Sequence, residues 1–463
     1  MDYGSNFAYW IYLAITSIGF LAFVFIVGIS RVLDLRRLAS IYFVFMFVTY
    51  FLRPFFEHAI FSDPTFFAHI DEHYEPVMFS DSMLIFFGVF VSITLITFAL
   101  FYRIFSPPSL NGVGIAKSYP AKNLVEVAAW AMIGVGYFGF LLGSLFKGEM
   151  TGTAVGTGFT GTSGYIFLLN YLVVAGVVLR YMVTSKFYNC ALISLPWALV
   201  HLSNGYNRFI VITLLIGFFG AWLIRGGKVQ LRYVIVVALF SPVLLFFFNV
   251  LSANRKALTD LSLLDSAIER VLEEPIYNSF HGFAGFEGGL ITLDRIEKGL
   301  DRPFYGTNLI YRTVIWPFPR AIWTGKPYPP EFHWAFILSL GQDRTLTTGY
   351  TKLFSTWFVR GGIGKDIKEW GLLFFWVNPL WVGLLAGFME KKCLAPQGHP
   401  ILYTFYFMFF ASFTYIGRST LYDNIGPLAF ALYVPLIVSY LITAKYMGFK
   451  QGKFLPVNRP RLV

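Results

Sequence analysis

The sequence predicts an all-α integral membrane protein of about eleven transmembrane helices, with a large, partly helical loop on the outer face between helices eight and nine. Three observations predict it. Of 463 residues, 56% are hydrophobic and only 13% charged, about half the charged share of a soluble domain. The apolar residues come in runs close to 20 long, the length a helix needs to cross the hydrocarbon. Lys and Arg recur in alternate segments between those runs, as they do in cytoplasmic loops. The net charge of +11 therefore calls for no nucleic acid.

Taken in order, apolar runs place spans at 8–28, 38–56, 82–101, 124–146, 163–183, 187–202, 209–224, 233–251, 370–389, 400–416 and 425–444. The sixth and seventh are short and closely joined; a re-entrant pair there would leave the topology of the rest unchanged. Residues 1–7 carry no Lys or Arg and no small-residue cleavage site follows, so the first run reads as a retained span. Basic residues then mark one side: Arg31, Arg36 and Arg37; Arg103, Lys117 and Lys122; Arg180 and Lys186; Arg225, Lys228 and Arg232; Lys391 and Lys392; and a tail from Lys445 to Arg461. The loop 57–81 has six acids and no Lys or Arg. This alternation predicts an outer N-terminus and a cytoplasmic C-terminus. Cys190 is expected in a span and Cys393 in a cytoplasmic loop, so no disulfide is expected between them.

The chain divides into a transmembrane bundle at 1–251, an extracytoplasmic loop at 252–369, and a second bundle with a basic tail at 370–463. The middle part holds 14 Lys/Arg and 13 Asp/Glu. Within it, Ala257, Leu258, Leu261, Leu264, Ile268, Val271 and Leu272 recur at helical spacing, which suits a helix on the membrane surface or packed on the bundle. The glycine cluster between His281 and Gly289 is expected to break the chain, with a second helix running to Lys298. No internal repeat or low-complexity tract is visible.

Charge beside apolar spans is costly and marks candidate chemistry. On the outer side these residues are Arg53, Arg208, Arg255, Lys256, Arg320, Lys326 and Arg418. Each alone would be satisfied by snorkelling to headgroups. As a ring they suit a phosphate or diphosphate, which guanidinium binds bidentately. The segment from Trp316 to Pro327 adds Pro317 and Pro319, whose fixed φ stiffens a loop carrying Arg320 and Lys326. Trp316 and Trp323 would anchor the same loop at the interface. Glu287, between glycines and aromatics, is the candidate general base, since desolvation raises a carboxyl pKa; as an acid at a helix start it would equally be favoured by the dipole. His281 is second. Asp423 reads as a salt-bridge partner of Arg418. His69, Asp71, Glu72 and His73 match no strong zinc or calcium spacing and read as a solvated loop. The Gly- and Thr-rich stretch 148–164 lacks a P-loop ending. No metal or cofactor is expected.

The stretch Phe318-Pro-Arg-Ala-Ile-Trp-Thr-Gly-Lys-Pro327 resembles the aromatic/aliphatic-Pro-Arg-x-x-Trp-Pro-x-Lys-Pro element of the Wzy-type bacterial polysaccharide polymerases. Asn207-Arg208 is similar to that family's Gly-x-Arg position at the head of a span, and Gly417-Arg418 to a later family Arg. Thr348-Gly-Tyr350 to Gly361-Gly-Ile-Gly364 resembles its Gly-aromatic…Gly-x-x-Gly segment. The likeness runs from about Tyr206 to Pro427; the first half matches only in hydropathy. Thr324 stands where the element has Pro, and Tyr350 and Thr351 stand where an acid often follows the glycine.

The resemblance implies a GT-C-like membrane glycosyltransferase, acting in O-antigen or exopolysaccharide biosynthesis at the cell envelope. It would transfer a growing glycan from undecaprenyl diphosphate onto a new lipid-linked repeat unit at the outer face of the bacterial plasma membrane. Arg208, Arg255, Arg320 and Arg418 would cradle the diphosphate with Lys326 assisting. Glu287 or His281 would take the acceptor proton, and outer-loop aromatics such as Tyr350 would contact sugars. A chain-length regulator and a flippase are the expected protein partners, with membrane lipid around. Two other functions compete: an O-antigen-ligase-like transferase using the same donor, and a transporter or flippase of lipid-linked glycans. A transporter would more often show repeats and broken helices at mid-membrane. A non-catalytic assembly subunit would not need the outer Arg ring.

Overall fold

The computed structural model describes residues 6–56, 80–114, 122–145, 168–203, 209–227, 285–297, 303–315, 361–395, 398–414 and 428–446, with isolated positions at 250, 265, 266, 268, 269, 272, 299, 323, 325 and 421. These described residues are all-helical. In chain order the helices are α1 (Asn6–Val27), α2 (Ile29–Val32), α3 (Leu38–Phe47), α4 (Arg53–Phe55), α5 (Asp81–Phe105), α6 (Lys122–Leu145), α7 (Tyr171–Thr184), α8 (Phe187–Ser203) and α9 (Phe209–Ile224). There follow α10 (Gly285–Glu297), α11 (Thr307–Ile310), α12 (Gly361–Trp370), α13 (Val377–Cys393), α14 (Pro400–Phe413) and α15 (Val434–Tyr446). A π-helical turn, Val48–Leu52, joins α3 to α4; others are Tyr311–Ile315 and Ala429–Tyr433.

Among the described residues, four helices are long and apolar enough to cross a membrane: Phe7–Val27, Leu38–Phe55, Asp81–Phe105 and Lys122–Leu142. Shorter apolar helices cover Tyr171–Thr184, Val211–Ile224, Pro400–Phe413 and Ala431–Lys445. Their large apolar residues face outward as well as inward; Phe25 in α1 is 90% exposed. In water that would be a liability, whereas in lipid it is expected of a spanning helix. The expected span 233–251 lies outside the described residues apart from Val250.

Small residues set how closely the helices approach. A Cβ on Gly383 would lie 2.6 Å from the carbonyl oxygen of Phe98, and one on Gly387 would lie 2.5 Å from that of Tyr102. These glycines, one turn apart, let α13 lie directly on α5. Gly19 meets Ser92 between α1 and α5, and Gly136 and Gly176 seat α6 against α7. Helices in lipid pack this way because dispersion and hydrogen bonds, rather than water exclusion, hold them together. Aromatics fill the remaining space: Tyr42 stacks on Phe98 at 3.7 Å, with Phe23 beside both.

One end of the bundle collects the basic residues. Arg31 donates to Ser106 at 3.0 Å, Arg103 to the carbonyl of Val27 at 3.1 Å, and Tyr406 Oη to the carbonyl of Arg36 at 2.7 Å. Arg225 reaches the carbonyl of Met182 and the hydroxyl of Ser185. At the centre, Glu390 Oε2 accepts from Arg37 Nη1 at 3.1 Å and from Tyr102 Oη at 2.7 Å, while Oε1 accepts from the N–H of Leu38 at 2.7 Å. Nearby, His399 Nδ1 caps α14 by accepting from the N–H of Ile401, and its ring Nε2 lies 3.2 Å from Thr443 Oγ1 of α15. Arg31, Arg36, Arg37 and Arg103 therefore share one end of the described bundle with Glu390.

Three sequence expectations are corrected. The glycine cluster does not break the chain throughout: α10 begins at Gly285 and continues through Gly288 and Gly289, because those glycines sit against packed neighbours. The ninth span does not begin at Trp370. That residue ends α12, Gly371 turns the chain at φ 78°, and α13 starts at Val377. Cys393 is not in a loop; it lies buried in the last turn of α13, and Cys190 is buried in α8, both as free thiols. The expected helix to Lys298 is present as Gly285–Glu297, whereas the expected helix across 257–274 falls largely outside the described residues.

Candidate functional site

The opposite end of the bundle, away from Arg31, Arg37 and Arg103, holds a second polar centre. It is built by α10 and α12, from the part of the chain read as an outer loop. They cross at glycine: a Cβ on Gly364 would lie 2.8 Å from Gly289 Cα, and one on Gly289 would lie 2.3 Å from the Phe87 ring of α5. Phe286 is fully buried between Tyr12 of α1, at 5.2 Å, and Phe87, at 5.9 Å. Tyr50, in the π turn, ties three elements. Its carbonyl accepts from Tyr12 Oη at 2.6 Å, and its hydroxyl accepts from the N–H of Ile363 at 3.1 Å.

Charge is gathered here despite the apolar surroundings. Arg53, Asp294, Asp366, Lys368 and Glu369 are all buried. A buried charge persists only when paired or hydrogen-bonded. Asp366 accepts from Asn378 Nδ2 of α13 at 2.5 Å. Glu369 Oε1 accepts from the N–H of Leu309 at 2.8 Å. The Lys368 ammonium sits 4.5 Å from the Phe304 ring centroid, a cation–π contact. The backbone of 303–306 is strapped to the same helix end, with Phe304 N–H donating to the Lys368 carbonyl at 2.8 Å and Gly306 N–H to that of Glu369 at 3.2 Å. The indole N–H of Trp370 is buried without a hydrogen-bond partner.

The π turn explains how Arg53 comes to lie inside. One extra residue per turn rotates the helix end relative to α3, and such bulges concentrate at functional sites. Arg53, expected near the outer face, is buried at the start of α4.

Of the residues singled out in the sequence, Glu287 is placed by its backbone in the first turn of α10, where a helix dipole favours a carboxylate. Arg208, Arg255, His281, Arg320, Lys326, Tyr350 and Arg418 lie outside the described residues, as do Asp423 and the His69–His73 group. Asp294, Asp366, Lys368 and Glu369 were missed. The signal for the last three was the amphipathic run from Gly361 to Trp370, in which Ile363 and Ile367 share a helix with three buried charges. The Gly361–Gly364 segment is the start of that helix. Among the described residues no three His, Cys, Asp or Glu side chains come together as metal ligands would.

No family model matches the chain, and no curated protein or solved structure matches it either.

Proposed function

We propose that the chain is a membrane glycosyltransferase that polymerises undecaprenyl-diphosphate-linked oligosaccharide repeat units at the outer face of a bacterial plasma membrane. In this reading it has about eleven spans, an outer N-terminus and a cytoplasmic C-terminus. The observation that supports it best is the buried charge of α10, α12 and α4, which lies at the end of the bundle remote from the arginine-rich loops. A transfer from a lipid diphosphate needs such a place, sheltered from water, where a leaving group's negative charge is met by fixed cations. Arg320, Arg208, Arg255 and Arg418 would bind the diphosphate with Lys326. Glu287, on the helix that enters this centre, would take the proton from the acceptor hydroxyl, with His281 as second candidate.

The test supplies purified protein in vesicles with a synthetic undecaprenyl-diphosphate repeat unit. A ladder of longer lipid-linked products supports polymerisation. Transfer only to a lipid A core acceptor would favour the ligase-like reading. Substrate crossing the bilayer without elongation would overturn the enzyme reading in favour of a flippase.

A further inference from the structure

The part of the chain read as an outer loop contains a unit lying at a depth where neighbouring helices are still apolar. Three independent rulers measure that depth from the Glu390 carboxylate. Leu38 donates its N–H to Glu390, and Tyr50, which receives the N–H of Ile363, lies twelve residues further along, about 18 Å at a helical rise of about 1.5 Å per residue. Tyr102 donates to Glu390, and Phe87, packed on Phe286, lies fifteen residues back along α5, about 22 Å away by the same rise. Within α13, Val377 stands thirteen residues from Glu390, about 20 Å. The three agree. The α10–α12 pair sits about 20 Å along the helices from the arginine-rich end, less than the thickness of a hydrocarbon layer, about 30 Å. Helix α5 continues beyond this level to Asp81, about 9 Å further, so the bundle's far rim lies above the unit.

The unit's outward edge has a matching character. Asp366, Lys368 and Glu369 are buried, but Tyr305, Ile310, Leu373, Phe374 and Trp376 are exposed, Leu373 by 78%. They belong to one edge. The strap at 303–306 is bonded to the end of α12, and the turn at Gly371 lies against Pro303 and Tyr305. That edge runs directly into the exposed face of α13 at Trp381.

We propose that residues 303–315 and 361–376 form a re-entrant unit whose apolar edge rests against the lipid chains of the leaflet opposite the arginine-rich end. The occupant is bilayer hydrocarbon, because the edge continues the lipid-facing surface of α13 at a depth where water is absent. The inference is independent of the reaction catalysed. It makes the α12 end a wall, with charge on its protein side and lipid on the other.

The test places a nitroxide on Leu373→Cys, Phe374→Cys and Ile310→Cys in turn, in protein carrying Cys190→Ser and Cys393→Ser and reconstituted in phosphatidylcholine vesicles. Collision with oxygen, which concentrates in lipid, is compared with collision with a water-soluble nickel chelate. Labels at Ile18→Cys, exposed in mid-α1, and Lys391→Cys after the clasp give the lipid and water limits. The expected result is that all three test labels favour oxygen over nickel, as Ile18→Cys does. Nickel collision at the level of Lys391→Cys would overturn the proposal. Lipid-like values at 373 and 374 with a water-like value at 310 would also overturn it, by removing the strap from the embedded edge. Each variant is accepted only if it elutes as the parent protein does.

Discussion

Glu390 and Arg37 meet at 3.1 Å across 353 positions of sequence, with their side chains 0% and 2% exposed. Both carboxylate oxygens are used: Tyr102 shares Oε2 and the Leu38 N–H takes Oε1. The contact joins the starts and ends of α3, α5 and α13 in one knot. Removing Glu390 takes the nearest counter-charge from buried Arg37 and leaves it the Pro107 carbonyl, the Tyr102 hydroxyl and Asp34 at 3.8 Å. Glu390→Ala is therefore expected to cost about 3–5 kcal/mol, and Glu390→Gln less, since its amide retains part of the hydrogen bonding. Thermal unfolding in detergent checks this. The cycle with Arg37→Met should show that the double variant is more stable than Glu390→Ala alone.

The glycine crossing of α10 and α12 makes a second prediction. Gly364→Ala places a methyl 2.8 Å from Gly289 Cα, against backbone that has no flexible end to yield. Overpacking of this kind costs about 1–3 kcal/mol. Gly134→Ala is the control: nothing lies within 4 Å of its Cβ position, and alanine gains about 1 kcal/mol of helix propensity there in an aqueous helix. The two variants should shift the melting temperature in opposite directions. Equal shifts would mean that the helix crossing is not close.

How far these features were legible in the sequence depends on the physics that made each one. Runs near 20 apolar residues predicted α1, α3, α5 and α6, because hydrocarbon thickness writes directly into length. The basic alternation was legible for the same reason, and the structure gathers Arg31, Arg37, Arg103 and Lys391 at one end. Glu390 was overlooked because Lys391 and Lys392 follow it; three charges together read as a loop, although only the lysines are exposed. Asp366, Lys368 and Glu369 were read as ordinary loop charge, since their burial depends on α10, which lies far away in sequence. The glycines at 285, 288 and 289 carry opposite meanings in water and in a tight crossing, and only the neighbours Phe87 and Gly364 decide between them.

His399 predicts a pH dependence. Burial pushes its pKa down from the ordinary 6.5 to about 4. Its Nδ1 accepts the Ile401 N–H, so the proton belongs on Nε2, toward Thr443 Oγ1, which itself donates to the Ser439 carbonyl at 2.7 Å. Protonating Nδ1 would abolish the cap. With the folded pKa lowered, the unfolded chain binds the extra proton first. Stability is full above pH 6.5 and falls as pH drops from there toward 4. The loss is on the order of 2–3 kcal/mol, from about 1.4 kcal/mol per pKa unit. Melting curves from pH 7.5 to 4 should show it, and His399→Asn, which keeps a capping acceptor without the titration, should flatten that slope. An unchanged slope would assign the acid sensitivity elsewhere.

The last prediction concerns the proposed transfer. If guanidinium groups neutralise the departing diphosphate, Arg320→Ala and Arg208→Ala should each lower the elongation rate by about 100- to 1,000-fold, the usual cost of losing one donor to developing negative charge. Lysine at either position should restore only part of it, because an ammonium supplies charge without the two-pronged geometry that a phosphate accepts. Glu287→Gln should fall by at least as much if its carboxylate removes the acceptor proton, and the residual rate should lose the acidic limb of the wild-type pH profile. A purely structural role for Glu287 would instead lower the melting temperature while leaving that limb in place. Initial rates of ladder formation, at matched protein levels and across pH 5 to 8, separate the two. Wild-type elongation by Arg320→Ala or Arg208→Ala would remove that arginine from the diphosphate site, and would shift attention to Arg53 and Lys368 as the cations already buried beside α10 and α12.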